Sequence, residues 1–141
     1  MREEFKLEIV SPEKTFLLKD DVTEVVIPGY EGEMGILKDH ISIISFLKPG
    51  IIKVLTKENE EKFYVEDGII EFKENTLSIL TSYISSLKDI KRANIDQLLQ
   101  DAEKELSDQN ILDQKKFLIN QKIDLLNSII LNARFALFNI S

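Results

Sequence analysis

IPGYEGEMGILKDHISIISFLKPGII, residues 27–52, decides how this chain is read. Glu31 and Glu33 flank Gly32, a further glycine stands at 35, and His40 is the only histidine of the sequence. An apolar run from Ile41 to Leu47 follows and stops at Lys48-Pro49-Gly50, a turn signal. On an extended chain Glu31 and Glu33, two apart, share a face. Gly32 and Gly35 permit backbone shapes, or a close approach, that a Cβ would block. Three uses compete for this stretch: a catalytic pocket, a ligand loop, or a surface shaped for another protein.

Working outward, the flanks read as strands. Phe5, Leu7 and Ile9 alternate with Lys6 and Glu8, the period of a half-buried strand. Val22 to Ile27 is rich in β-branched residues and is expected to stop at Pro28-Gly29. Ile51 to Thr56 and Lys62 to Val65 flank the polar stretch 57–61 and read as a hairpin. Asp67-Gly68 and Glu74-Asn75 then punctuate two more short apolar segments, Ile69 to Phe72 and Leu77 to Leu80. Many short strands at close spacing predict a β-sandwich or barrel over residues 1–85.

After Ser86 the period changes. All five glycines and all three prolines lie at or before Gly68. Ile90, Ala93, Leu98, Ala102 and Leu106 fall three to five apart, roughly one helical stripe. Ser107-Asp108-Gln109-Asn110 interrupts with residues that favour turns and N-caps. Leu112, Ile119, Ile123, Leu126, Ile130, Ala133 and Leu137 then form a heptad-like seam. The pattern predicts an antiparallel helical hairpin over residues 86–141, with one long helix as the alternative. Phe117, Leu118, Leu125, Ile129 and Ala136 lie off the seam and Phe135 and Phe138 add more, so the second helix is apolar around most of its circumference and needs burial on more than one side.

Composition narrows the function. A chain of 141 residues with 43% apolar residues holds one domain, or a small domain with an appendage. The formal net charge of −7 disfavours nucleic-acid binding, which draws on Lys and Arg displacing counterions. Without cysteine there are no disulfides, thiolates or Cys-based zinc sites. Glu31, Glu33 and His40 lack the two further His or Asp residues that a metal site would need at ligand spacing. No Ser/His/Asp arrangement, phosphate loop or HExxH accompanies them, so acid–base catalysis by these three residues is the weaker reading. MREEFKLEIV is charged and then alternating, unlike a signal or transit peptide. No apolar run approaches the ~18 residues of a membrane span.

These residues carry a resemblance. The stretch 27–52 is similar to the epsilon subunit of the F-type ATP synthase, which runs along the lines of Gly-x-Glu-Gly-Glu-x-Gly-(Ile/Val)-x-x-x-His, an apolar strand and Lys-Pro-Gly. Gly29, Glu31, Gly32, Glu33, Gly35, Ile36, His40 and Lys48-Pro49-Gly50 match in register. FKLEIVSPEKTF (5–16) resembles that family's opening strand and turn. VEDGIIEFKENTLSIL (65–80) resembles its Gly-Gly-x-x-Glu-Val hairpin, with Asp67 in place of the first glycine. The resemblance runs from residue 5 to about 106, and beyond that rests on length and position alone. Where the family has Pro-Gly before the histidine, this chain has Lys38-Asp39. Aspartate also favours turns.

The resemblance implies a sandwich of about ten strands at the foot of the central stalk, followed by a helical hairpin. One side would bind the gamma subunit, and the bottom would touch the ring of c subunits through Glu33 and His40, with Glu31 beside them. The subunit would be non-catalytic. It would couple proton-driven rotation of the ring to ATP synthesis, peripherally on the cytoplasmic face of a bacterial plasma membrane or as an organelle-encoded copy, with no direct membrane insertion. The hairpin would inhibit hydrolysis by extending toward the alpha/beta catalytic head, with Lys115, Lys116, Lys122 and Arg134 as candidate contacts. Some members bind ATP through Ile/Leu-Asp-x-x-Arg-Ala. Asp89, Arg92 and Ala93 fit that motif, but Lys88 replaces the apolar residue. Triphosphate recognition prefers several guanidinium forks, and the only later arginine is Arg134. ATP is therefore not favoured as a ligand, and no cofactor or metal is expected. Two rivals remain: a β-sandwich binding module that self-associates through its helices, and a small hydrolase built on Glu31, Glu33 and His40, which would need a substrate pocket there.

Overall fold

The computed structural model describes residues 3–140, with side chains described as far as Asn132. It divides into two units, Met1–Asp89 and Ile90–Ser141. The first is a β-sandwich of nine strands among the described residues, against the ten or so implied by the resemblance. In chain order they are β1 (Phe5–Ser11), β2 (Lys14–Gly29), β3 (Gly32–Leu37), β4 (Ile43–Leu47), β5 (Gly50–Thr56), β6 (Glu60–Val65), β7 (Gly68–Lys73), β8 (Thr76–Thr81) and β9 (Ile84–Ser86).

The strands form two runs, β1-β8-β7-β4 and β3-β2-β5-β6-β9, linked where β2 meets β1 and β4. Only β1 and β8 pair in parallel; the remaining pairs are antiparallel. The core comes from alternate positions facing inward: Phe5, Leu7 and Ile9 on β1, Ile52 and Val54 on β5, Ile70 and Phe72 on β7, Leu77 and Ile79 on β8. Phe5 meets Phe72 edge to face at 5.6 Å, and Phe16 meets Phe63 at 5.7 Å. Such pairs contribute ~0.5–1.5 kcal/mol beyond the area they bury.

β2 departs from its sequence reading at both ends. It begins at Lys14, eight residues before the β-branched run. Its first half pairs with β1 through two register shifts, so Phe16, Leu17 and Leu18 do not alternate and give no period-2 signal. It also continues through Pro28. The proline ring removes only a donor, and its carbonyl still accepts from the Lys48 N–H at 3.0 Å. Two tight connections follow directly from sequence. Tyr30-Glu31 is a two-residue loop closed by the pair Gly29 and Gly32, the latter at φ 122°, which a side chain rarely adopts. Glu74-Asn75 joins β7 to β8 with φ values of 50° and 54°, the signature of a type I′ hairpin turn.

The second unit is the hairpin of α1 (Arg92–Leu106) and α2 (Asp113–Ile140). The single long helix is excluded by the polar segment between them. There Ser107 Oγ donates to the Lys104 carbonyl at 2.6 Å, and Asp108 Oδ1 accepts from the Asn110 N–H at 3.0 Å, an Asx turn. Ile119 and Leu126 are buried and Ile123 and Ile130 half-buried, as the seam predicts, whereas Leu112, its first member, precedes α2 and is exposed. On α1 Ala102 is buried and Leu98 and Leu106 are half-buried, as the stripe predicts, whereas Ala93 is exposed and the buried Ile95 lies outside the stripe. Among off-seam residues Phe117 is exposed, and Leu118, Leu125 and Ile129 are half-buried. Ala133, Arg134, Phe135, Ala136, Leu137 and Phe138 lie outside the described side chains.

Candidate docking surface

β3 pairs only with β2 among the described strands and so forms a sheet edge. Met34 and Ile36 point inward, which leaves Glu33, Gly35 and Leu37 on the outer face. Glu31 is not on the strand at all. It sits in the two-residue loop, so the shared-face argument for Glu31 and Glu33 does not apply. His40 lies beyond the other end of β3. At ~3.3 Å per residue, Glu33 and Leu37 stand roughly 13 Å apart, and His40 is farther still along the chain. Glu31 in the loop before β3, Glu33 on the strand and His40 in the turn after it thus follow one another along this edge, which forms a ledge.

Sequence reasoning missed a third carboxylate on this ledge. Glu24, on the neighbouring strand, places its Oε2 2.9 Å from where a Cβ on Gly35 would be. Gly35 therefore gives room to the Glu24 side chain. The signal was present as the one charge inside the β-branched run Val22 to Ile27, but only the register Val26 opposite Gly35 brings the two together.

His40 is held on several sides. Its N–H donates to the Leu37 carbonyl at 3.1 Å, closing a tight turn. Its ring stands edge to face with Phe72, centroids 5.9 Å apart. Nδ1 lies 2.8 Å from the Ile41 carbonyl oxygen, which can only accept, so Nδ1 carries the proton and Nε2 is the acceptor of the neutral ring. Leu37 and Ile41, on either side, are exposed, Ile41 at 76%.

A second surface is made of residues that the sequence reading did not single out. On the outer face of β4, β7 and β8, Phe46, Ile69 and Leu80 stand directly opposite one another across three strands. Ile44 adds to them two positions along β4. Ile44 is 64% and Phe46 62% exposed. The row continues onto β1 at Val10, opposite Leu80, with Glu8, Glu71 and Asp67 around it. The sequence carried a sign of this. β4 is apolar at Ile43, Ile44, Phe46 and Leu47, hence on both faces, the pattern of a strand covered on both sides.

Residues 4–86 match the family described as "ATP synthase, Delta/Epsilon chain, beta-sandwich domain". The ATP synthase epsilon chain of Pelagibacter ubique (strain HTCC1062) is 67% identical over 104 residues, 74% of this chain and 80% of the relative. This chain belongs to the ATP synthase delta/epsilon family. The mitochondrial ATP synthase subunit delta of Schizosaccharomyces pombe is 37% identical over 74% of this chain and 64% of its own length. In fold, the chain is similar to one in the Euglena gracilis mitochondrial ATP synthase, OSCP/F1/c-ring (TM-score 0.71, 20% identity), covering 91% of this chain and 82% of that one.

The hairpin positions singled out by the family resemblance are scattered. Asp89 precedes α1, its N–H donating to the Ser86 carbonyl at 3.1 Å. Arg92, in the first turn, is engaged with Asp96 through Nε and Oδ1 at 3.0 Å, and Ala93 is exposed. Lys115 pairs with Glu105 at 3.7 Å, tying the start of α2 to the end of α1. Lys116 is exposed and Lys122 half-buried, while the Arg134 side chain lies outside those described. Among the described residues no cluster of three or more His, Cys, Asp or Glu is arranged to hold a metal ion, and no helix is long and apolar enough to cross a membrane.

Proposed function

We propose that this chain is a central-stalk epsilon subunit of an F-type ATP synthase, a non-catalytic part that couples ring rotation to ATP synthesis. The observation that carries this reading is the apolar face of Ile44, Phe46, Ile69 and Leu80. An apolar centre with a charged rim has the anatomy of a protein interface. In the proposal this face takes the gamma subunit. The β3 ledge, with Glu31, Glu33, His40 and the newly found Glu24, meets the polar loops of the c ring. There carboxylates and an imidazole fix register more than they add affinity. The subunit then works at the membrane periphery, on the cytoplasmic side, through its partners.

The deciding experiment mixes the purified chain with gamma. Phe46→Asp and Leu80→Asp should each weaken the complex at least tenfold and leave the sandwich folded, because both side chains are outside the core. Undiminished binding by the double variant removes this face from the interface. If sedimentation instead shows a stable homodimer that gamma does not dissociate, the self-associating module is the better account.

The hairpin, in the same proposal, acts as a brake on hydrolysis by contacting the alpha/beta head through its basic residues. ATP is not favoured as its regulator, since Arg92 is already engaged by Asp96. In the assembled enzyme, removing residues 90–141 should raise ATP hydrolysis. An unchanged rate would take the brake out of the proposal.

A further inference from the structure

Among the described residues, three that are not glycine hold a positive φ: Asp39 at 65°, Glu74 at 50° and Asn75 at 54°. Two of the three hold each other. The Asp39 N–H donates to Asn75 Oδ1 at 2.7 Å, and Asn75 Nδ2 donates to Asp39 Oδ1 at 3.0 Å. They stand 36 positions apart, Asp39 between β3 and β4 and Asn75 between β7 and β8.

The two partners differ in how they are anchored. Asn75 belongs to the tight β7–β8 turn, and its carbonyl accepts from the Lys6 N–H on β1 at 3.1 Å. It is fixed to the sheet on both sides. Asp39 sits in a loop that carries His40 as its next residue. The left-handed region is disfavoured for residues with a Cβ, with Asp and Asn the best tolerated. Something must hold Asp39 there, and the reciprocal amide–carboxylate pair does so. Phe72, three residues before Asn75, meets the His40 ring. The β7–β8 hairpin therefore grips this loop twice, at the backbone before His40 and at the imidazole itself.

We propose that Asp39 and Asn75 form a clasp that positions His40 for docking. A glycine at position 39 would reach the same φ freely but would leave the loop many conformations; the clasp selects one. Both are positioning residues, and the inference rests on the ring-facing role of His40 proposed above. The consequence for the partner is chemical. With Nδ1–H committed to the Ile41 carbonyl, the neutral His40 offers Nε2 as an acceptor, so the group it meets is a donor such as a guanidinium or an amide N–H.

The test uses the full chain and two readouts. Asn75→Gly keeps the turn's positive φ accessible and removes only the clasp. Nitrogen NMR of the neutral His40 ring should show the Nδ1–H tautomer in the wild type, and a shift toward a mixture of both tautomers in Asn75→Gly and in Asp39→Gly. Affinity for the isolated c ring, measured with gamma present, should fall about fivefold in Asn75→Gly, the effect of losing the one hydrogen bond that His40 Nε2 accepts from the ring. In a His40→Ala background the same change should cost nothing further, because the clasp acts through the imidazole. An unaltered tautomer in both glycine variants overturns the clasp. So does an equal loss of affinity with and without His40, which would mark a purely structural pair. If His40→Ala alone binds the ring as the wild type does, the ring-facing role falls and the docking part of the inference falls with it. The tautomer still decides whether Asp39 and Asn75 hold the imidazole.

Discussion

Tyr64 donates its phenolic O–H to Glu66 Oε2 at 3.1 Å, from a fully buried position near the end of β6. Its ring is tilted against that of Tyr83, centroids 6.3 Å apart. Burial pushes the phenol far above its ordinary value of about 10, and the negative charge and hydrogen bond of Glu66 push in the same direction.

That arrangement makes stability fall in alkali. A group whose pKa is raised on folding contributes stability that is fully present below the unfolded pKa and lost above it. For Tyr64 the loss begins near pH ~10 and proceeds at ~1.4 kcal/mol per pH unit while the folded phenol stays neutral. Denaturant titrations at a series of pH values should show this slope in the wild type and a shallower one in Tyr64→Phe. Equal slopes in the two proteins would mean that Tyr64 ionises without unfolding.

Two glycines should respond differently to alanine. A Cβ on Gly68 would collide with the Leu80 carbonyl oxygen, backbone that cannot swing aside. Gly68→Ala is expected to cost ~1–3 kcal/mol, the range for overpacking, read as a lower denaturation midpoint. A Cβ on Gly35 meets only the far end of the Glu24 side chain. Gly35→Ala should leave stability within ~0.5 kcal/mol. It should still displace Glu24 and so weaken docking on the ledge. A large stability loss at Gly35 would show that Glu24 is held more rigidly than a flexible side chain.

How much of this was legible in sequence depended on whether one strand's own alternation carried the information. Phe5, Leu7 and Ile9 announced β1, and the polar break at 107–110 announced the hairpin. The first half of β2 stayed hidden because its register shifts destroy the period. β9, three residues long, is too short to have one. The α1 stripe held Ala102 but took the exposed Ala93 and missed Ile95, because single steps of three to five accumulate phase error. Ile95 and Ala102, seven apart, were the true pair. The docking ledge was legible in residue type only through a family resemblance. Its geometry was not, since the separation of Glu33 from His40 and the approach of Glu24 to Gly35 depend on strand pairing. The same holds for Asp39 and Asn75, which meet only once two distant turns are brought together.

The hairpin's stability should rest on few residues. Ile119 and Leu126, seven apart on α2, are buried, as are Ile95 and Ala102 on α1. Leu126 is wholly inaccessible, so Leu126→Ala removes buried methyl groups and leaves a cavity, at a cost of ~2–5 kcal/mol. Phe117 is the larger side chain but is 63% exposed, and Phe117→Ala should change stability by no more than ~0.5 kcal/mol. Lys115→Ala, which breaks the exposed pair with Glu105, should cost ~0–1 kcal/mol. Hydrogen exchange of the α1 and α2 amides reads all three, with protection collapsing in Leu126→Ala alone. If Phe117→Ala proved as damaging as Leu126→Ala, α2 would have to pack by a face other than the Ile119–Leu126 seam.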